Sequence, residues 1–347
     1  MRVGFDVSPL FRPHPRGIVR LTDETVRALE ARGTLEVVRL EPPAGRDLRA
    51  WRQRDLPREV AARGLFGVHS FVSAFPWRGP GKRVHTLHEL PWKHGVHENA
   101  DLRHRFWASL GTRRADATVT GTERAARDLG RPLAAEGGRV HVVPWGVGDA
   151  FRDEPEPGSV DEVALARYRR SESAFALCLG AVRAKKNLAS VIDGLARLVA
   201  RGAPELALLV SGPDTPQLRR DLGRVARLGL SRWVSTPGEI EEPDLPAVLR
   251  LATVVPVLSR SEGFALPVLE ALACGTPVIV PRGSAQAEVA GPAGIAVDPD
   301  DADSVADGLE RALRERVELR YRLADRAREF PWTRTAAALE SIWEGLA

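Results

Sequence analysis

Two glutamates stand eight residues apart around a predicted strand-to-helix turn, and together they could bind the hydroxyl groups of one ligand. Glu262 precedes the start of the helix, and Glu270 lies about one turn inside it. Carboxylates accept hydrogen bonds from sugar hydroxyls. Gly263 suits a tight turn and Pro267 suits the first helical position, where backbone N–H groups can face an anion. The alternative is a pair of acids that only stabilises the positive end of the helix dipole or is solvated.

A basic loop elsewhere in the chain carries the complementary charge. Only four lysines occur in the sequence, and two of them, Lys185 and Lys186, stand just before a predicted helix. Cations are disfavoured at a helix N-terminus by the helix dipole. An anionic ligand therefore explains the pair better than a basic helix start alone. With Arg183, the lysines could neutralise a bound anion.

The elements that must position these residues alternate between short apolar strands and helices. Continuous apolar runs such as Ala207–Val210 fit parallel strands that helices cover on both faces. The predicted strands lie near Val3–Val7, Leu35–Leu40, Leu65–Ser70, Val84–Leu87, Ala117–Thr120, Val140–Val143, Phe175–Leu179, Leu206–Val210, Trp233–Thr236, Val254–Leu258, Pro277–Val280 and Ile295–Val297. The predicted helices lie near Gly17–Ala31, Leu48–Arg63, Glu98–Arg113, Thr122–Leu129, Leu188–Ala200, Gln217–Leu228, Pro246–Leu251, Pro267–Ala273, Ala302–Leu313, Leu319–Glu329 and Thr333–Leu346. This pattern predicts an α/β protein of two doubly wound domains, with ligands at the carboxyl ends of the strands, in the cleft between the domains.

Length and composition agree with two globular domains. The chain has 347 residues, of which 44% are hydrophobic and 28% charged, an ordinary balance for a soluble protein. No run approaches the ~18–20 apolar residues of a membrane helix, and the first residues do not resemble a secretory signal. Two cysteines, Cys178 and Cys274, cannot form a disulfide framework, so a cytoplasmic protein is expected.

Charge is distributed unevenly between the two halves. Residues 1–150 carry a net charge of +8 and all eight histidines, whereas residues 151–347 carry −4. Arginine outnumbers lysine throughout, so the basic balance does not indicate nucleic-acid binding. The stretch Phe151–Arg170, rich in Pro, Gly and acid, is typical of a linker. The segment Arg46–Arg63 contains six arginines and is interrupted by Pro57. It fits either peripheral contact with an anionic membrane or an ordinary solvated helix.

Several other chemistries lack their sequence signals. The chain contains no GxGxxG after its first strand, no GxxxxGK[ST], no CxxC and no HExxH. These absences argue against a dinucleotide dehydrogenase, a P-loop NTPase and a zinc site. The acidic stretch Asp298–Asp303 precedes a helical pattern and is interpreted as a loop with a helix N-cap. Cys274 fits a small buried helix residue better than a nucleophile.

Two motifs resemble glycosyltransferase family 4, whose members are retaining enzymes of the GT-B fold. The sequence EGFALPVLEALACGTPV, which begins at Glu262, is similar to the family pattern EGFGLPxLEAMACGxPV, with Ala265 where Gly is usual. The sequence LGAVRAKKNL, which begins at Leu179, is similar to LGxxxPRKNL. Further segments resemble the family in the same order along nearly the whole chain: VPWGV from Val143, VSGP from Val210, VSTPGEI from Val234, SAQAEVAG from Ser284 and FPWT from Phe330.

The resemblance assigns roles to matching residues of the second half. Glu270 would bind the ribose of a nucleotide and Glu262 the donor sugar, while Lys186 would bind the diphosphate. The full set implied for donor binding is Gly17, Arg183, Lys185, Lys186, Gly238, Glu262, Gly263, Phe264, Ala265, Leu266 and Glu270. Gly238 belongs to a loop that frames the nucleobase, and the amides around Phe264–Leu266 would take the diphosphate.

The first half resembles the family more weakly. Asp6-Val-Ser-Pro-Leu10 and the following Arg16-Gly-Ile-Val-Arg20 are similar to a bacterial mannosyltransferase-like opening, in which Gly17 would lie in a loop facing the donor sugar. Thr86-Leu-His-Glu-Leu-Pro91 is similar to the family's TxHDxxP strand end. His88 matches the family's active-site histidine, and Glu89 replaces the usual Asp.

The resemblance implies a GT-B architecture, in which two Rossmann-like domains face each other across a cleft. An acceptor-side domain is expected over residues 1–152, a linker over 153–172 and a donor-binding domain over 173–330. A final helix over 331–347 is expected to cross back to the first domain.

The expected activity is transfer of a sugar, with mannose favoured, from a nucleoside diphosphate to a glycan or lipid-linked saccharide. Anomeric configuration would be retained, and no metal or other cofactor is expected. His88, Glu262 and Lys186 are the expected catalytic residues. The protein would lie in the cytoplasm, with peripheral contact to the inner face of the membrane. The alternatives are a non-catalytic sugar-nucleotide-binding subunit and a GT-B-related sugar-nucleotide epimerase.

Overall fold

The computed structural model describes residues 1–98, 102–130, 132–168, 174–203 and 206–347, except for the side chains of residues 317 and 319–321. These residues form two compact units. Unit 1 comprises Met1–Gly146 and Phe330–Ala347, and unit 2 comprises Val147–Glu329. Within the described ranges, no helix combines the length and apolar character needed to cross a bilayer.

All strand pairs of the structure are parallel, as the buried apolar runs predict. The strands are β1 (Arg2–Asp6), β2 (Glu36–Leu40), β3 (Gly67–Ser70), β4 (Lys82–Thr86), β5 (Ala117–Thr120), β6 (Val140–Val142), β7 (Ala174–Leu179), β8 (Leu206–Ser211), β9 (Val234–Gly238), β10 (Val255–Pro256), β11 (Val278–Pro281) and β12 (Ile295–Val297). In unit 1 the order is β2-β1-β3-β4-β5-β6. The order reverses between β1 and β3.

Unit 2 contains the sheets β7-β8-β9 and β10-β11-β12, which meet along β7. The amide of Leu177 donates to the carbonyl of Val254 at 2.9 Å, and the amide of Thr253 donates to the carbonyl of Phe175 at 2.8 Å. The combined order is therefore β9-β8-β7-β10-β11-β12. This order reverses between β7 and β10, which is where doubly wound sheets bind ligands.

Helices connect the strands in both units. They are α1 (Arg16–Arg32), α2 (Leu48–Ala50), α3 (Leu56–Ala62), α4 (Leu102–Phe106), α5 (Thr112–Arg114), α6 (Glu123–Leu129), α7 (Asp161–Leu165), α8 (Leu188–Ala200), α9 (Pro216–Arg227), α10 (Leu245–Leu251), α11 (Leu266–Ala273), α12 (Ala285–Ala290), α13 (Ala302–Arg328) and α14 (Trp332–Gly345). Side chains cap several N-termini. Thr122, Thr215 and Ser284 accept from backbone amides at the starts of α6, α9 and α12.

The last helix, α14, packs against α1 in unit 1. Arg32 Nε donates to Glu340 Oε2 at 2.7 Å, and Thr335 Oγ1 donates to the carbonyl of Pro144 at 2.8 Å. Trp343 is fully buried and lies against Phe66, with ring centroids 6.2 Å apart. The C-terminal residues are therefore part of the core of unit 1.

The predicted linker, 153–172, differs from the structure in part. Its residues Asp161–Leu165 form α7, which packs on α10, and Leu165 is buried. Asp161 forms an ion pair with Arg250 at 2.7 Å, and both side chains are largely buried. This short helix was not predicted because the Pro, Gly and acidic residues at the start of the stretch are typical of a linker. Residues 169–172 of the predicted linker lie outside the described residues.

Two helix predictions also need correction. The helices predicted near Ala302–Leu313 and Leu319–Glu329 are one helix, α13, because no Gly or Pro interrupts the chain from Leu309 to Arg328. In the basic segment, α2 continues through a π-helical turn, Trp51–Asp55, into α3. Pro57 lies in the first turn of α3, and because it has no N–H, the continuous helical segment lacks one backbone hydrogen bond at this junction.

The basic segment is also less cationic at the surface than its composition indicates. Arg52 is buried, with Nε donating to Asp6 Oδ2 at 2.7 Å and Nη2 donating to Ser8 Oγ at 2.6 Å. Arg46 forms a two-point ion pair with Asp55. These arginines therefore serve unit 1 internally.

The helix predicted near Glu98–Arg113 is described only from residue 102 onward, since residues 99–101 lie outside the described ranges. There α4 leads through a π-helical turn, Trp107–Gly111, into α5.

Candidate functional site

A cavity in unit 2 opens where the strand order reverses, at the carboxyl ends of β7 and β10. Its walls include Cys178 at the end of β7, Gly180 directly after β7, Ser259 after β10 and Lys186. Pro267 of α11 closes another side. Both motifs that the sequence singled out therefore reach this one position.

The basic loop forms a 3₁₀ turn, Ala184–Lys186, immediately before α8. Lys185 is buried with only 4% of its surface exposed. Its backbone carbonyl accepts from the amide of Arg260 at 2.8 Å. Because Arg260 follows β10, this bond joins the two loops that border the cavity.

Lys186 and Glu262 form an ion pair at the same place. The Nζ atom of Lys186 donates to Glu262 Oε1 at 2.8 Å, with side-chain exposures of 24% and 14%. Burial alone would raise the pKa of Glu262, but the charges of Lys186 and Lys185 and a hydrogen bond from Lys186 outweigh it and lower the pKa to about 2. Glu262 is therefore an acceptor at neutral pH. An ammonium has three N–H donors, of which this bond uses one.

The glutamate loop makes its turn two residues later than expected. Ala265 has φ +68°, a left-handed conformation, directly before α11. Gly263 does not have a positive φ, so the turn predicted at Gly263 is made at Ala265. An alanine in this conformation is strained, because its Cβ crowds the backbone. Gly275, with φ +70°, follows α11 as the predicted C-cap glycine.

The remaining predicted residues of this loop are mostly buried. Phe264 is 5% exposed and Ala265 is 7% exposed. Leu266 begins α11 and Glu270 lies in its second turn, 5% exposed. A carboxylate this deeply buried is costly unless it is hydrogen-bonded or meets a ligand.

Gly238 lies at the same edge of the sheet, two strands away from β7. The amide of Gly212 donates to the carbonyl of Gly238 at 3.0 Å, and the amide of Gly180 donates to the carbonyl of Ser211 at 2.8 Å. A Cβ on Gly212 would lie 2.5 Å from the carbonyl oxygen of Gly180. Glycine is thus required for these loops to approach one another.

Two buried polar atoms in the basic loop lack a hydrogen-bond partner among the described residues. They are Nε of Arg183 and Nδ2 of Asn187. Both are donors, and buried donors without acceptors cost free energy. A bound anion would satisfy donors of this kind.

Asn187 is a residue of this loop that was not predicted from the sequence to belong to the site. It has φ +55° and ψ +40°, and it stands at the N-terminus of α8 without capping it. The available signal was an Asn between a basic turn and an apolar helix, since Asn tolerates this left-handed conformation better than most residues.

Gln286 of α12 was also missed. Its Nε2 donates to the carbonyl of Ser259 at 2.7 Å, and the side chain is 1% exposed. The bond anchors the chain that leads from β10 to Glu262. Only its position inside the SAQAEVAG segment marked it in the sequence.

The predicted residues of unit 1 are placed as follows. Gly17 is exposed and helical, in the first turn of α1, so the loop expected at this position is wrong. His88 follows β4, and its Nε2 lies 2.7 Å from the carbonyl of Phe71. A carbonyl only accepts, so Nε2 carries the proton and Nδ1 is the acceptor in the neutral ring.

The cysteines are poor nucleophiles in this environment. Burial raises the pKa of Cys178 and of Cys274 to about 12, so both remain thiols at neutral pH. Among the described residues, no three His, Cys, Asp or Glu side chains cluster as metal ligands would. Asp301 caps α13 by accepting from the amide of Asp303, as predicted for the acidic stretch.

Most of unit 2 is similar to a known protein family. Residues 166–330 match the family model "Glycosyl transferases group 1". The MMP alpha-(1->4)-mannosyltransferase of Mycolicibacterium hassiacum is 32% identical over 235 residues, 65% of this chain and 53% of that protein. The D-inositol 3-phosphate glycosyltransferase 2 of Catenulispora acidiphila is 31% identical over 243 residues, 66% of this chain and 56% of that protein. The match thus spans little more than half the length of these relatives.

Solved structures share the fold along the whole chain. Sucrose-phosphate synthase from Thermosynechococcus elongatus superposes with a TM-score of 0.77 at 18% identity, covering 100% of this chain and 99% of that one. HepE from Anabaena, in complex with UDP and glucose, gives 0.74 at 14% identity, covering 99% and 100%. At these identities the likeness concerns the fold alone.

Proposed function

We propose that this chain, which has the GT-B fold and whose residues 166–330 match the family model of the glycosyl transferases group 1, is a glycosyltransferase of that family. It transfers a sugar from a nucleoside-diphosphate donor to a hydroxyl group of a glycan or lipid-linked saccharide. The observation that carries the proposal is the ion pair of Lys186 and Glu262 at the switch point of the unit 2 sheet. That pair puts a cation and a hydroxyl-binding carboxylate at the place where such a sheet binds nucleotides.

The chemistry follows from the charges around the cavity. As the bond from the anomeric carbon to the diphosphate breaks, negative charge grows on the leaving group. Lys186, with Lys185 and Arg183, stabilises that charge. The amides of the loop from Gly263 to Leu266 add donors. Because these side chains are largely fixed before the donor arrives, little reorganisation is needed in the transition state.

The two glutamates hold the hydroxyl-bearing parts of the donor. Glu262 is ionised at neutral pH and accepts from the sugar, while Glu270 accepts from the ribose. Gly238 frames the base. His88 is proposed to contact the donor sugar. The side-chain cations supply the positive charge that leaving-group departure needs, so the reaction is proposed to be metal-independent. Retention of anomeric configuration is proposed from the resemblance of the motif that begins at Glu262 to glycosyltransferase family 4.

The donor is proposed to be a mannose nucleotide. Support comes from two relatives whose names describe mannosyl transfer, the M. hassiacum enzyme and the O-antigen chain mannosyltransferase B of Escherichia coli, which is 28% identical over 174 residues. We place the reaction in the cytoplasm, since both cysteines are free thiols.

Ligand-induced thermal stabilisation tests the nucleotide. The full chain is heated with GDP, UDP, ADP or their sugar conjugates, because a ligand that binds the folded state raises the melting temperature by mass action. A rise with one base, lost in Lys186→Met, supports the proposal. No rise with any of them overturns it.

Product analysis then separates transfer from the alternatives. With the stabilising sugar nucleotide and a panel of glycan and lipid-linked acceptors, the proposal requires a new glycosidic product and a free nucleoside diphosphate. An epimerised sugar nucleotide would identify an epimerase. Binding without turnover on any acceptor would identify a non-catalytic subunit.

A further inference from the structure

Unit 1 carries a row of large apolar side chains on its surface. Leu102, Phe106 and Leu110 are exposed by 85%, 40% and 44% of their surface. They follow one another at intervals of four residues along α4 and the π-helical turn after it. Residues four apart share one face of a helix. The row is thus a continuous apolar ridge, which we call the 102–110 ridge.

The opposite side of the same helical segment fixes it to unit 1. Ala108 packs in a small core with Leu87 and Leu90. The ring of Trp107 packs against Phe75 with centroids 5.0 Å apart. The ridge is therefore presented by a helix that already buries its other face, and its exposure does not come from a missing core contact.

The ridge is bordered by positive charge. The thirteen residues from Leu102 to Arg114 contain four arginines and no acid. Arg103, Arg105, Arg113 and Arg114 are all exposed.

Aromatic rings lie beside these arginines. The Arg105 guanidinium stacks 5.5 Å from the ring of Trp92, and that of Arg114 stacks 5.0 Å from the ring of Trp77. Phe106 in turn lies 5.2 Å from Trp77. Tryptophan rings beside exposed cations are typical of surfaces that meet the headgroup region of a bilayer.

We propose that the 102–110 ridge and its four arginines bind an anionic phospholipid surface. The apolar side chains enter the boundary between headgroups and acyl chains, and the arginines contact the lipid phosphates. Charge complementarity favours this occupant over an apolar protein partner, since the four arginines between Leu102 and Arg114 match the negative charge of lipid phosphates. The surface lies outside the donor site, so the proposal does not depend on the identity of the sugar nucleotide.

This surface also replaces the basic segment Arg46–Arg63 as the membrane contact. None of the large apolar side chains in that segment is exposed, and two of them, Trp51 and Leu56, are fully buried. Arg52 is likewise buried against Asp6. The two surfaces can be separated by matched variants.

Vesicle co-sedimentation of the full chain tests the proposal. Vesicles of phosphatidylcholine alone are compared with vesicles containing about one third phosphatidylglycerol, at about 0.15 M salt. The wild-type chain should partition onto anionic vesicles at least tenfold more strongly than onto neutral ones. Leu102→Ser/Phe106→Ser/Leu110→Ser should lose at least tenfold of that partitioning, and Arg103→Gln/Arg113→Gln about thirty-fold.

Matched controls carry the same chemical changes elsewhere. Val160→Ser/Val163→Ser removes exposed apolar side chains of unit 2, and Arg49→Gln/Arg58→Gln removes exposed arginines of the basic segment. Both should bind like the wild type. Thermal stabilisation by the nucleotide should be the same in all variants, which shows that they are folded.

Three outcomes would overturn the proposal. One is equal binding to neutral and anionic vesicles. Another is a loss of binding only in Arg49→Gln/Arg58→Gln, which would place the contact on the basic segment. The third is a wild-type chain that binds no vesicles but self-associates or binds a protein, together with loss of that association in Leu102→Ser/Phe106→Ser/Leu110→Ser. Because none of these readouts uses sugar transfer, they are separate from a failure of the proposed activity.

Discussion

Lys186 Nζ lies 2.8 Å from Glu262 Oε1, although 76 residues separate the two along the chain. The parallel sheet of unit 2 brings them together, because Lys186 follows β7, Glu262 follows β10, and these strands are neighbours. Each partner lowers the cost of burying the other. Both charged groups are therefore already in position in the folded protein before a diphosphate and sugar bind.

Replacing Lys186 tests whether its charge acts on the leaving group. Lys186→Met should lower kcat about 10²- to 10³-fold, the usual effect of removing one group that stabilises transition-state charge. Lys186→Arg keeps the charge and should recover part of the loss. Steady-state kinetics with the donor identified by thermal stabilisation give the values. The exposed Lys93→Met is the control; a kcat for Lys186→Met within twofold of the wild type would remove Lys186 from the mechanism.

Glu270 and Glu262 should differ in what they contribute. Glu270→Gln should mainly weaken binding of the nucleoside diphosphate itself, since its proposed partner is the ribose. Glu262→Gln should leave that binding closer to wild type and reduce turnover of the sugar conjugate. Calorimetric titration with the nucleoside diphosphate, beside kinetics, separates the two effects. Glu318→Gln, an exposed change in α13, is the control. The assignment fails if both variants bind the diphosphate as the wild type does.

His88 offers a test of the role proposed for unit 1. The Nε2–H of His88 donates to the carbonyl of Phe71, which fixes the orientation of the ring that is proposed to contact the sugar. His88→Ala should lower kcat/KM for the sugar nucleotide at least tenfold, the size of one lost hydrogen bond to substrate. Affinity for the nucleoside diphosphate alone should not change. His97→Ala, at an exposed position, controls for nonspecific effects. The assignment would be contradicted if His88→Ala lowered kcat/KM and the affinity for the nucleoside diphosphate by the same factor.

Local patterns predicted most strands and helices because apolar periodicity is a local property. The bounds predicted for β5 and α8 agree with those in the structure, Ala117–Thr120 and Leu188–Ala200. The short helix α7 was not predicted, since it depends on distant partners such as Arg250. No sequence window contains that information.

The candidate site shows the same limit. The types and spacing of Glu262, Lys185 and Lys186 were sufficient to predict an anion site after a strand. The turn at Ala265 could not be predicted, because an alanine with positive φ contradicts local preference and exists only where tertiary packing compensates. The burial of Arg52 against Asp6 could not be predicted either, because a segment with many arginines is typical of a solvated surface.

The strain at Ala265 can be measured. Ala265→Gly should raise the free energy of unfolding of unit 2 by up to about 1 kcal/mol, because glycine adopts φ +68° without the Cβ penalty. Ala196→Gly, in the regular helix α8, should lower it by about 1 kcal/mol. Hydrogen exchange of the β10 and β11 amides reports on this unit. A lower stability for Ala265→Gly would show that Ala265 is not strained.

Two buried histidines should make the stability of unit 1 depend on pH. Burial, the largest cause, lowers the pKa of His69 to about 3 and that of His85 to about 4. In the unfolded chain both titrate near about 6.5. Below that value the unfolded state binds protons that the folded state rejects. The stability these neutral rings contribute is therefore complete above about pH 6.5 and declines as the pH falls towards the folded-state pKa values.

The expected loss between about pH 7 and about pH 5 is about 4 kcal/mol for the two histidines together. Urea unfolding followed by tryptophan fluorescence measures it, since seven of the eight tryptophans belong to unit 1. In His85→Gln the slope of stability against pH should fall by about one proton, while the exposed His97→Gln should keep the wild-type slope. The slope, and not the absolute stability, is the decisive quantity, because the substitution itself disturbs the hydrogen bond that Thr118 Oγ1 donates to His85 Nε2. A slope in His85→Gln equal to that of the wild type would mean that His85 titrates alike in both states and is not held neutral by the fold.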